Sequence, residues 1–240
     1  KKIFIENKDL DSYFNLMGGY DRVKSHHYNF DEINFNSEVD DLKKIFNKIR
    51  KNTVEEKLGI NQNKILFTPH YILHHYHAYY SNNCRDIDQR VIFHQEGDGG
   101  EYNAGISIPT KKGLKWLEGT NQSDIGRLYQ WTTLNLGMKP YHHEYKLMGL
   151  APYATQSEVE KSYSVIKDIF KIDNELMSIV YNNKPSDLYF YFRDKFRGHR
   201  FDGIAGAIQK LVEELLNAQL TSIINKLRRN KISYGGGTAM

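Results

Sequence analysis

The sequence predicts a mixed α/β fold, and three observations predict it. Strand, glycine turn and strand follow one another through "QRVIFHQEGDGGEYNAGISIP". From Asp202 to Arg229 apolar residues recur at three- and four-residue steps, the signature of a long amphipathic helix. A further strand runs into glycines at "KISYGGG". Helices interleaved with strands that end on glycine turns build helix layers on a sheet.

Taken in chain order, "SEVDDLKKIFNKIRKN" carries apolar residues at Val39, Leu42, Ile45, Phe46 and Ile49, which predicts a surface helix. "NKILF" reads as a short strand. Thr68 and Pro69 then supply a capping hydroxyl and a proline at the first helical position, so a helix begins near His70. Val91 to His94 and Ala104 to Ile108 form the hairpin, with Gly97 to Gly100 as its turn. "DIGRLYQWTTLNLGM" is helical, and Pro152 closes any helix in "EYKLMGLAPYA". No internal repeat or low-complexity tract interrupts this order.

Composition narrows the class. The 240 residues are 40% hydrophobic and 26% charged, which suits a globular protein with a real core. The net charge of +4 is mild, and the basic residues fall in short clusters such as Lys43-Lys44 and Arg228-Arg229, so a nucleic-acid partner is not expected. One cysteine, Cys84, excludes an intrachain disulfide and fits a reducing compartment, and its neighbours Asn82, Asn83 and Arg85 read as a turn. No apolar run reaches the length of a membrane span, and no signal peptide opens the chain, so a cytoplasmic location is expected. Because the sequence stops at Met240 just after a glycine turn, it is read as a fragment.

Four stretches could carry chemistry. In "TPHYILHHYHAYY" a helical step of about 100° puts His70, His74 and His77 within one arc and turns Tyr71 and His75 away. Two imidazoles at i and i+4 can share a metal ion, yet an aromatic helix with satisfied core histidines has the same spacing. "EGDGGE", Glu96 to Glu101, combines carboxylates with glycines and is either a ligand-bearing loop or an ordinary hairpin turn. Gly235 to Gly237 form either a phosphate cradle or a tight turn. Lys146, close to Glu144, is either a point charge for phosphate or half of an ion pair.

Together these stretches resemble the O-carbamoyltransferase family of nodulation-factor and aminoglycoside antibiotic carbamoyltransferases. The metal-binding domain of that family is related to the tRNA threonylcarbamoyladenosine synthase and the hydrogenase-maturation carbamoyltransferase. The match is most specific in "SDIGRLYQWTTLNLGMKPYHHEYKLMGLAPYA", Ser123 to Ala154. It extends to the His-x-x-x-His of His70 and His74, with Ala78, Tyr79, Tyr80 and Ser81 downstream, and to "FDGIAGAIQKLVEELL" and "ISYGGGTAM". A register that places the ligands on "His-Ala" at His77 competes with this one. For the family's carboxylate, Asp98 keeps the residue type and Glu96 keeps the glycine spacing.

The resemblance implies an actin-like ATPase fold of two ribonuclease H-like halves, incomplete in this chain, with residues 1–95 in the first half and 96–240 in a truncated second. It implies a divalent metal, Fe(II) ahead of Zn(II), on His70, His74 and Asp98 or Glu96. His77, where the family has a small residue, shares the ligand face and is a candidate base beside the ligands. Gly99, Gly100, Glu144, Lys146, Gly235, Gly236 and Gly237 would serve ATP or carbamoyladenylate, with Lys146 offsetting phosphate charge during catalysis. The implied reaction makes carbamoyladenylate from carbamoyl phosphate and ATP in a separate C-terminal domain outside this chain, then transfers the carbamoyl group to an acceptor hydroxyl. A nucleotide-binding module without transfer, or a sugar-kinase-like phosphotransferase, is the alternative.

Overall fold

The computed structural model describes residues 39–81, 86–97 and 100–239. The chain divides into two compact units at Thr68 and Pro69. In the first, helix α1 spans Val39–Leu58, longer than its apolar repeat predicts, and a 3-10 turn covers Gln62–Lys64. "NKILF" is not a strand: it leaves that turn in extended backbone at Ile65 without a ladder partner among the described residues. Extended backbone becomes a strand only when a neighbour takes its N–H and C=O groups.

The second unit holds α2 (His70–Tyr80), β1 (Arg90–Gln95), β2 (Ala104–Thr110), β3 (Gly113–Thr120), α3 (Ile125–Asn135), α4 (Glu144–Leu150), α5 (Gln156–Tyr163), β4 (Phe170–Asp173), β5 (Ser178–Tyr181), α6 (Leu188–Lys195), α7 (Phe201–Leu227) and β6 (Lys231–Gly235). Four strands form one mixed sheet in the order β3-β2-β1-β6, antiparallel except for the parallel pair β1 and β6. β4 and β5 form a separate hairpin. The 95/96 boundary expected from the resemblance falls at the end of β1, within this single sheet. No described helix is long and apolar enough to cross a membrane.

Strand β1 is the axis of the unit, buried on both faces with neighbours on both edges. Alternation divides its side chains. Val91 and Phe93 pack with Ile106 and Ile223 under α7, whereas His94 faces α2. Helix α7 also closes a larger apolar cluster with Ile125, Leu128, Ile166, Ile179 and Phe192, so one 27-residue helix spans both cores. α2 starts at His70 as expected, but Thr68 does not cap it: Pro69 holds the cap position and no side chain bonds the first turn.

Candidate metal centre

The parallel register of β1 and β6 sets the site. Pairing His94 with Gly235 brings the ends of both strands beneath α2, and the chain turns away from the sheet at Glu96 and Gly236. Gly236 has φ +93, and a Cβ there would lie 2.4 Å from the Gln95 carbonyl oxygen, so only glycine lets β6 leave the sheet this way. Thr238 donates its hydroxyl to the same carbonyl at 2.6 Å.

Above the end of β1, His70 and His74 project from adjacent turns of α2. Their Nε2 atoms lie 2.9 Å apart and 3.1 and 3.0 Å from Glu96 Oε2. His70 is exposed, His74 half-buried and Glu96 buried. The other carboxylate oxygen, Glu96 Oε1, is buried without a partner among the described residues. Three donors at such spacings match the edges of one triangular face around an ion with bonds of about 2.1 Å, where octahedral edges are about 3.0 Å. Two imidazoles and one carboxylate with an unpartnered oxygen fit a divalent ion and leave positions for substrate.

Behind the triangle lies a second group of histidines. His75 Nε2 and His94 Nδ1 are 2.6 Å apart, and His75 Nδ1 is 2.6 Å from Ser107 Oγ. All three residues are buried, and Trp116 packs on both rings. Burial lowers the His75 pKa to about 3, helped by His94 and His74. Burial also lowers that of His94 to about 4; the Tyr102 carbonyl opposes the shift, and His74 and His70 add to it. Both rings are neutral at ordinary pH. The His94 ring stacks parallel to that of His74, 6.0 Å between centroids, and so backs a member of the triangle.

The strand end carrying Glu96 is fastened from the opposite side by "SDIGR". Ser123 donates to Gln95 Oε1 at 2.9 Å, and Gln95 Nε2 donates to the Ser123 carbonyl at 2.6 Å. Asn103 donates to Asp124 Oδ1 at 2.7 Å and to the Asn121 carbonyl, while its own carbonyl accepts from Glu96 N–H at 2.8 Å. Tyr181 donates to Asp124 Oδ2 at 2.9 Å. Burial, followed by the Asp124 charge and hydrogen bond, raises the Tyr181 phenol well above its ordinary pKa. Arg127 Nε donates to the Gly97 carbonyl at 2.8 Å. Gly126 lies so close that a Cβ on it would be 2.5 Å from Gly97 N.

A cavity of about 400 Å³ opens beside the triangle, with Glu96 and Gly97 at one side and Gly237 and Thr238 nearby. Tyr129, Met148, Val212 and Leu216 give it apolar walls, and Gln130, Gln209 and Glu213 add a few polar groups. That balance suits a small organic ligand with one polar end.

Of the residues singled out in the sequence, the structure brings His70, His74 and Glu96 together and sets Gly237 in the cavity wall. Asp98, Gly99 and Cys84 lie outside the described residues. Gly100 sits in an exposed turn at φ +76, and Gly235 is buried beneath the His74 carbonyl. Glu144 accepts the Tyr141 N–H at 2.6 Å. Lys146 is exposed, with Nζ 5.8 Å from the Tyr145 ring centroid. His77 is exposed near the Ser81 hydroxyl, outside the triangle. Sequence reasoning missed His94, Ser107, Asn103, Arg127 and Tyr141. Of these, Arg127 and Tyr141 lay inside the stretch Ser123 to Ala154, and His94, Asn103 and Ser107 inside the hairpin stretch, but no role had been read for any of them.

A family model described as carbamoyltransferase N-terminus matches residues 22–240. An uncharacterized protein of Methanocaldococcus jannaschii, MJ1051, is 24% identical over 194 residues, which cover 77% of this chain and 37% of that relative. The chain therefore spans little more than a third of the curated relative's length.

Proposed function

Since the chain belongs to the carbamoyltransferase N-terminal family, we propose that its histidine-carboxylate triangle is the site where a carbamoyl group passes to an acceptor hydroxyl. The observation that carries this reading is the convergence of His70, His74 and Glu96 within 4.8 Å beside a ligand-sized cavity that Glu96 itself lines. The donor is carbamoyladenylate, made from carbamoyl phosphate and ATP by a further domain of the whole protein. The fold is the actin-like ATPase type, and the mixed sheet with β6 parallel to β1 supports that assignment. The single cysteine fits a cytoplasmic setting.

His70 and His74 would hold a divalent ion through Nε2 and Glu96 through its carboxylate, with Fe(II) preferred over Zn(II) for this donor set. When bound, such an ion polarises a carbonyl and lowers the pKa of a hydroxyl. The remaining work belongs to the protein. The acceptor oxygen forms a bond to the carbamoyl carbon, the bond from that carbon to the phosphate oxygen breaks, AMP leaves and the hydroxyl proton is released. Gly237, in the cavity wall, would serve the phosphate of the adenylate, and Gln130, Gln209 and Glu213 would offer hydrogen bonds to ribose hydroxyls. The apolar walls exclude water that would hydrolyse the activated carbamoyl group.

The test is mass spectrometry of candidate hydroxyl acceptors after incubation of the full-length protein with ATP, carbamoyl phosphate and metal, combined with metal analysis. A carbamoyl increment that disappears in both His70→Ala and His74→Ala supports the reading. Transfer at the wild-type rate by those variants overturns it, and phosphorylation of the acceptor would favour the kinase alternative.

A further inference from the structure

Among the described residues three non-glycine residues adopt the left-handed backbone region: Tyr141 at φ 64, Met177 at φ 50 and Arg228 at φ 51. Two have ordinary reasons. Met177 turns the β4–β5 hairpin, and Arg228 is the C-cap of α7, a position where left-handed geometry is common. Tyr141 belongs to neither class, and a bulky aromatic residue in this region is strained. The surrounding turn fixes it. Tyr141 N–H donates to Glu144 Oε1 at 2.6 Å, Lys139 N–H donates to His143 Nδ1 at 3.1 Å, and Pro140 before it is buried. The side chain so placed is a wall of the cavity next to Glu96, yet the residue remains 55% exposed. A strained position that sets an open aromatic ring on the edge of a ligand-sized cavity is one whose cost is offset by what it contacts.

We propose that Tyr141 is a specificity-determining residue, its ring providing the stacking surface for the planar base of the nucleotide in this cavity. The inference rests on the nucleotide reading of the cavity given above and adds the group that recognises the base. Stacking on an aromatic ring needs a π face rather than a hydroxyl, and losing it weakens binding by about tenfold or more. Asparagine tolerates the left-handed region, so replacement by it removes the ring while keeping the turn.

The measurement is photolabelling of the intact protein with 8-azidoadenosine monophosphate, with labelled peptides mapped so that only the cavity is scored. Protection is titrated with AMP and with ribose 5-phosphate. In the wild type, AMP should protect the α7 peptides at far lower concentration than ribose 5-phosphate does. Tyr141→Phe should match it within about twofold, whereas Tyr141→Asn and Tyr141→Gly should need about tenfold more AMP and unchanged ribose 5-phosphate, with melting temperatures no lower than wild type. Equal AMP protection in Tyr141→Asn and wild type would overturn the role of Tyr141 and leave the cavity reading standing. Absence of cavity labelling in the wild type would overturn both.

Discussion

Two histidine groups meet on α2, one position apart in sequence, and their surroundings differ in every respect that matters. His70 and His74 lie over the end of β1, one exposed and the other half-buried, with ring nitrogens turned toward each other and toward a carboxylate whose second oxygen has no partner among the described residues. His75 looks down onto the sheet, fully enclosed, and shares its two nitrogens with His94 and Ser107. An imidazole whose nitrogens both have protein partners is a packing group; one whose lone pair converges with others on an open position is a ligand. The helical step of about 100° is all that separates the two.

The sharpest way to break this contrast is to remove the shared carboxylate. Glu96→Gln should weaken Fe(II) or Zn(II) binding by more than a hundredfold, beyond the 10–100-fold that partners outside the ligand set are worth, while the melting temperature stays close to wild type. Titration of the apo protein against a competing chelator measures this, and retention of wild-type affinity would remove Glu96 from the ligand set. His75→Ala should behave in the opposite way. It opens a cavity and leaves His94 and Ser107 without a buried partner, for a loss of about 3 kcal/mol in urea unfolding, with metal affinity falling tenfold at most.

Acid gives a subtler comparison. His75 and His94 resist protonation in the fold down to about pH 3 and 4, whereas the unfolded imidazoles titrate near 6.5. Between those limits the unfolded state binds more protons, so stability is complete above about pH 6.5 and declines as pH falls, by up to about 2.7 kcal/mol per unit for the two rings together. Urea midpoints of metal-free protein between pH 7 and 5 should show this slope, and His75→Phe should reduce it. A flat profile would mean that the buried pair does not stay neutral. The smallest effect belongs to His77→Ala, for which the exposed ring predicts a change within about 0.5 kcal/mol in stability and no change in metal affinity. A large loss of metal in that variant would revive the register that places the ligands at His77.

Much of this arrangement was legible because it is local. Helical spacing placed His70 and His74 on one arc, two short strand-like runs either side of a glycine turn predicted β1 and β2, and apolar steps predicted α7. The choice between Asp98 and Glu96 stayed open in the sequence because it turns on where β1 ends; Glu96, the first residue past the strand, stands in the triangle, and Asp98 lies outside the described residues. β3 was missed because its side chains are only partly buried on either face, which blurs the alternation a strand shows in sequence. The β4–β5 hairpin has strands of only four residues. The bonds from Gln95 to Ser123 and from Asp124 to Tyr181 span 28 and 57 positions, and no local pattern reports such partners. Tyr141 carried no signal, since an aromatic residue gives no warning of a positive φ.

The contact between Gly126 and Gly97 has a mechanical meaning. With no side chain between them, the first turn of α3 and the residue after Glu96 meet backbone to backbone, and Arg127 ties the seam at the Gly97 carbonyl. Such a joint has no soft parts to absorb displacement, so anything that tilts α3, including a ligand pressing on Tyr129 or Gln130, is transmitted to the carboxylate as a rigid lever would transmit it.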